Sequence, residues 1–177
     1  MQNRGRAATV AGAALLLAVA ASAEMNPHFE ALKPLLGKTW RGTFPKSTAE
    51  KPVVDVSRFE LALQGQAVRH RHSINDGEYG GESFIVWDEP KQSLVYYYFT
   101  TAGFYTTGTM HAEDGALVSR EVVTGTADGI TEVKGTHRLL PDGRLHVKTE
   151  YLKNGQWVDG RDMDYVEDAG AVVRLKE

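Results

Sequence analysis

Between positions 68 and 74 the chain reads VRHRHSI, with two histidines two residues apart. On a strand that spacing puts Val68, His70, His72 and Ile74 on one face and Arg69, Arg71 and Ser73 on the other. Imidazole titrates near neutral pH, so two side by side can ligate a metal, move a proton or orient a ligand. With Glu82 or His137 added, the pair would form a three-ligand metal set. His70 hydrogen-bonded to Glu82 would form an acid–base pair able to move protons on a bound molecule. As a few polar groups in a mostly apolar wall, the same residues would orient a small ligand. The residues support this last reading best, with no catalytic residue, no metal and no cofactor.

Which residues join the histidines depends on the loop that follows. Asn75-Asp76-Gly77 suits a three-residue hairpin loop with Gly77 in the left-handed position of a bulge. That register sets Ile74 opposite Glu78, His72 opposite Gly80, His70 opposite Glu82 and Val68 opposite Phe84. A four-residue loop would shift the pairing by one and put Glu82 opposite Arg71, as a surface ion pair. We take the three-residue loop as the expectation. A four-residue turn at EPKQ (89–92) then sets Val95 opposite Val86, Tyr97 opposite Phe84 and Phe99 opposite Glu82. The expected ligand-binding wall is therefore Val68, His70, His72, Glu82, Phe84, Tyr97 and Phe99, with Tyr96 and Tyr98 on the outer face.

Other chemistries find little support. Ser83 has no Gly-x-Ser-x-Gly elbow around it, and neither a phosphate-cradling glycine loop nor His-Glu-x-x-His occurs. The acidic run VDGRDMDYVED (158–168) lacks the spacing of a calcium loop and reads as a solvated last strand. The chain contains no cysteine, which excludes thiol catalysis, cysteine metal sites and disulfides.

The elements that must position these groups are strands. After Thr39 no stretch has helical periodicity. Turn signals instead recur at LQGQ (63–66), NDG (75–77), DEPK (88–91), TAG (101–103), EDG (113–115), ADG (127–129), PDG (141–143) and KNG (153–155). They delimit about ten hairpin-linked segments, near 39–44, 53–63, 66–74, 79–87, 93–100, 104–111, 116–123, 130–139, 144–151 and 157–166. So many consecutive antiparallel strands leave two exposed edges as an open sheet, and closure removes both. The expected fold is all-β: an up-and-down antiparallel barrel of about ten strands, wide enough to leave a cavity. A two-sheet sandwich of the same strands is the alternative. Ahead of the barrel, Asn26-Pro27 opens a short helix with Phe29, Leu32 and Leu36 on one side, placed to plug one end. Trp40 is expected to pack across that closed end.

Residues Met1–Ala23 read as a secretory leader. Arg4 and Arg6 precede the apolar run AATVAGAALLLAVA, and the small residues ASA supply a cleavage site before Glu24. The remaining 24–177 suffices for a single barrel domain, exported to the periplasm or beyond. Without Arg4 and Arg6 the chain carries 18 basic against 23 acidic residues, a net charge of −5. That balance, without a basic run, offers no footprint for nucleic acid and no polybasic patch for a membrane. The expected partner is a small, largely apolar ligand.

LLGKTWRGTF (35–44), a short helix running into Gly-x-x-Trp-x-Gly, resembles the opening of lipocalin-like and nitrobindin-like barrels. RFELALQGQAVRHRH followed by YGGESFIVWDEPKQSLVYYYFTTAGF resembles a secreted bacterial family of calycin-type barrels with no assigned function. The resemblance spans nearly all of 26–166 and implies a calycin-like barrel with a ligand cavity. Two departures bear on haem, which nitrobindin-like proteins hold through a histidine near the carboxyl end. The last histidine here is His146, and TFPKSTAEKP replaces their glycine-rich extension after Trp-x-Gly. Haem is therefore not expected.

Overall fold

The computed structural model describes residues 24–125 and 128–176. The expected leader, Met1–Ala23, lies outside them. The Asn26 side chain accepts a hydrogen bond from the His28 amide at 3.0 Å, and Pro27 occupies the first position of the helix. This helix, Pro27–Leu35, is a 3₁₀ helix. Its three-residue turn aligns Phe29, Leu32 and Leu35 as the buried row, and Leu35 takes the place expected of Leu36.

Ten strands follow: β1 (Thr39–Thr43), β2 (Val54–Ala62), β3 (Ala67–Ile74), β4 (Tyr79–Asp88), β5 (Ser93–Thr100), β6 (Tyr105–Glu113), β7 (Ala116–Thr124), β8 (Ile130–Leu139), β9 (Leu145–Lys153) and β10 (Gln156–Glu167). Each strand pairs antiparallel with its sequence neighbour, and β1 pairs with β10 to close the barrel. No sheet edge is left, and the sandwich alternative falls.

One end is filled. The 3₁₀ helix lies where β1 begins and β2 ends, tied there by the Asn26 amide donating to the Gly65 carbonyl at 3.0 Å. Phe29, Leu32 and Leu35 pack with Trp40, Phe59, Val68 and Ile85 in one buried cluster. Phe29, Leu32, Trp40 and Val68 are wholly buried, so Trp40 belongs to the plug as expected. The 44–53, 75–78 and 101–104 connections lie at the other end, which opens on a lumen.

Two irregularities re-aim side chains. On β10 the register shifts between Asp159 and Asp162, so that Gly160 and Arg161 together face Thr149. The Arg161 amide donates to Thr149 Oγ1 at 2.7 Å, and the bulge turns the Arg161 side chain inward. On β8 a shift between Ile130 and Glu132 lets both Ile130 and Val133 line the lumen.

Past β10 the chain runs back along the outer face of β1–β3. The Asp168 amide donates to the Thr39 carbonyl at 2.9 Å and the Arg174 amide to Ser73 Oγ at 3.1 Å. Ala171, Val173 and Leu175 are half-buried, alternating with exposed Val172, Arg174 and Lys176. Among the described residues no helix is long and apolar enough to cross a membrane.

Candidate functional site

The lumen is a cavity of about 840 Å³. Apolar side chains supply most of its wall, among them Ile74, Ile85, Phe104, Met110, Leu117, Val133 and Val147. Set into this wall are four polar groupings.

The largest is centred on Asp55, wholly buried on β2. Asp55 Oδ1 lies 3.0 Å from His72 Nδ1, and Oδ2 accepts from the Tyr165 hydroxyl at 2.7 Å. Arg161 Nη1 stands 3.0 Å from the same Oδ2 and donates to the Tyr165 hydroxyl at 2.8 Å. On its other side His72 Nε2 meets the Tyr98 hydroxyl at 2.6 Å, which meets the Tyr79 hydroxyl at 3.1 Å. Burial works to raise the Asp55 carboxyl, but the bond to His72, with Arg161 and Tyr165, holds it down at about 2. Burial would discharge Arg161, yet Tyr165 and Asp55 keep its guanidinium firmly charged. Burial also raises the hydroxyls of Tyr98, Tyr79 and Tyr165, which therefore stay protonated.

The remaining groupings are smaller. His70 Nε2 bonds to Ser57 Oγ at 2.8 Å, and its ring stacks on Phe59 with centroids 4.1 Å apart. Burial, then the nearby His72, depresses its imidazole well below the ordinary range. On β7, Glu121 accepts from Thr106 Oγ1 at 2.5 Å, and burial raises its carboxyl despite that bond. His137 on β8, five strands around the barrel from β3, has its Nδ1 buried without a partner. Burial, then the charge of Arg161, lowers its imidazole to about 4.

His70 and His72 thus line the lumen, as the alternation of VRHRHSI predicts. Val68 shares their face but lies within the plug cluster, wholly buried. The other expected wall residues require correction. Ile74 pairs with Tyr79, Arg71 with Glu82 and His70 with Ser83, so the hairpin loop spans four residues. Asn75, Asp76 and Gly77 all adopt positive φ, and Glu78 joins the loop through its amide bond to the Ile74 carbonyl. The Asn75 side chain accepts from the Val54 amide at 3.0 Å and donates to Glu78 at 3.0 Å, holding this longer turn. The shift of one residue turns Glu82 and Phe84 outward. Glu82 receives Arg69 at 2.7 Å on the outer face, beside Arg71 paired to Glu60 at 3.2 Å.

The β4–β5 pairing is the expected one: Val86 with Val95, Phe84 with Tyr97 and Glu82 with Phe99. Because β4 is turned over, β5 turns with it. Tyr97 and Phe99 are 52% and 54% exposed on the outside, while Tyr96 and Tyr98 line the lumen. No His70–Glu82 acid–base pair forms. Among the described residues no three His, Asp or Glu side chains gather closely enough to hold a metal ion. His146, the last histidine, lies on the outer side of β9, bonded to Asp164 at 2.8 Å.

Asp55, Glu121 and Arg161 line the lumen outside the wall expected from sequence. Asp55 was within reach, since alternation along VDVSRF puts it on the face of Ser57 and Phe59. An acid in line with a core aromatic asks for a buried partner. Glu121 shares a face with Ser119 and Leu117 and carries the same signal. Arg161 gave none, because the bulge breaks the alternation that would have located it. The chain matches no family model and no curated protein.

Proposed function

We propose that this chain is an exported, lipocalin-like barrel that holds a small, largely apolar ligand in its lumen without transforming it. The observation that carries the reading is the lumen of about 840 Å³, plugged at one end, open at the other and walled mostly by apolar side chains. A ligand burying roughly 200 Å² of apolar surface would gain about 5 kcal/mol from that wall. The few polar groups set its orientation, since each needs a partner once water leaves. The leader-like Met1–Ala23 and the lipocalin-like opening LLGKTWRGTF support export and the calycin-type kinship.

A neutral, apolar fluorescent dye such as Nile red should bind saturably at one per chain. Tyr96→Ala, which alters the lumen wall, should weaken it by about tenfold, corresponding to loss of a buried aromatic contact. Tyr97→Ala, on the outer face, should leave it within about twofold. Equal effects of the two variants, with circular dichroism confirming that both fold, would place the dye elsewhere and remove the reading.

The chain Asp55–His72–Tyr98 favours a second reading, a cavity enzyme that moves protons on its ligand as an isomerase, cyclase or hydrolase does. Here it replaces the expected His/Glu pair. The two readings separate on ligand recovered from protein purified from its own host. A binder returns that ligand unchanged after prolonged incubation, whereas an enzyme converts it and His72→Phe stops the conversion.

A further inference from the structure

The Asp55 cluster has a direction, set by which of its groups can donate and which can only accept. Asp55, ionised and held by Arg161, can only accept hydrogen bonds. His72 Nδ1, 3.0 Å from Asp55 Oδ1, must therefore carry a proton, because a bare nitrogen there would set two acceptors face to face. Asp55 and Arg161 already cancel each other's charge. In the neutral form of the ring, the one that sets no second cation beside Arg161, a proton on Nδ1 leaves Nε2 bare. Nε2 then accepts the proton of Tyr98 across 2.6 Å. With its single proton committed, Tyr98 can meet Tyr79, 3.1 Å away, only as acceptor, so Tyr79 donates. Tyr165 follows the same direction, giving its proton to Asp55 and accepting from Arg161. Every proton in the chain points back toward Asp55.

The last oxygen in line is that of Tyr79, at the open end of β4 and on the lumen wall. Its proton is spent on Tyr98, and among the described residues no donor reaches it. We infer that the Tyr79 hydroxyl oxygen is the ligand's polar anchor, and that it selects an apolar molecule carrying a hydrogen-bond donor, a hydroxyl or N–H, over one offering only acceptors. The inference rests on the proposed binding function and names the ligand class for that same lumen. Aligned bonds polarise one another, so each strengthens the terminal oxygen as an acceptor.

Two probes of one skeleton test it: 1-naphthol, which can donate, and 1-methoxynaphthalene, which can only accept, titrated at neutral pH by fluorescence. The intact protein should bind 1-naphthol about tenfold tighter, one hydrogen bond's worth. Tyr79→Phe should bring the two affinities within about twofold by weakening 1-naphthol alone. Tyr98→Phe should act in the opposite sense. It releases the Tyr79 proton toward the lumen, and 1-methoxynaphthalene should tighten severalfold, a gain that simple loss of packing would not produce. Equal affinities in the intact protein, or a preference that survives Tyr79→Phe, would overturn the inference while leaving the lumen a binding site. Failure of both probes to bind would remove the binding function itself.

Discussion

His137, His70 and Asp55 titrate in ways that make the barrel sensitive to acid. An unfolded chain protonates His137 near its ordinary 6.5, whereas the folded protein resists until about 4. Between those values the unfolded state holds the extra proton, so stability falls as pH drops through that window, by roughly 3 kcal/mol for this one residue. His70, depressed by burial and then by His72, adds to the loss in the same direction. Asp55 acts later. Its stabilisation is complete above 3.8 and disappears as pH falls through about 2. Urea midpoints should therefore decline from pH 6.5 to 4 and again below, and His137→Phe should flatten the first decline. Midpoints constant between pH 7 and 4.5 would contradict these assignments. Glu121 has the opposite sign. Burial raises its carboxyl, so the folded state is penalised as pH rises, and Glu121→Gln should stabilise the protein near neutrality.

Among the elements, the bulge on β10 decides most, because it turns Arg161 into the lumen to meet Asp55. It depends on Gly160, where a Cβ would lie 2.5 Å from both Thr149 Oγ1 and the Tyr151 ring. Gly160→Ala should cost about 1–3 kcal/mol through crowding, measured by chemical denaturation. It should also weaken lumen binding by pushing Arg161 off Asp55. A variant as stable as the parent would show that the bulge tolerates a side chain. The 75–78 hairpin shows how an element's detail reaches the site. One more residue in that turn exchanged Glu82 and Phe84 for Ser83 and Ile85 on the inner wall, and brought Tyr96 and Tyr98 in with them. The aromatic run SLVYYYFT thus serves two surfaces: Tyr96 and Tyr98 inside, and Tyr97 stacked with Phe99 at 6.4 Å outside.

At the scale of the whole molecule, the closed barrel and its plug are separate from the outer strap. The segment after Glu167 covers β1–β3 and buries Ser73, and none of its described residues lines the lumen. A chain ending at Glu167 should keep its β-type circular dichroism and its lumen binding. It should melt about 4–8 °C lower, the equivalent of roughly 2 kcal/mol of lost apolar cover. Loss of binding together with the strap would mean that the segment shapes the cavity after all. Sequence by itself determined the number of strands, their limits to within two residues, their antiparallel order and the plug, because turn chemistry and alternation act over a few neighbouring residues. It also determined that His70 and His72 share a face. Tertiary structure alone decided which residues join them. The inward face of β4 and β5 hung on a single loop residue, since strand parity reverses with every one-residue shift. The Asp55–Tyr165 bond joins residues 110 positions apart, and only closure of β1 onto β10 brings β2 and β10 close enough to make it.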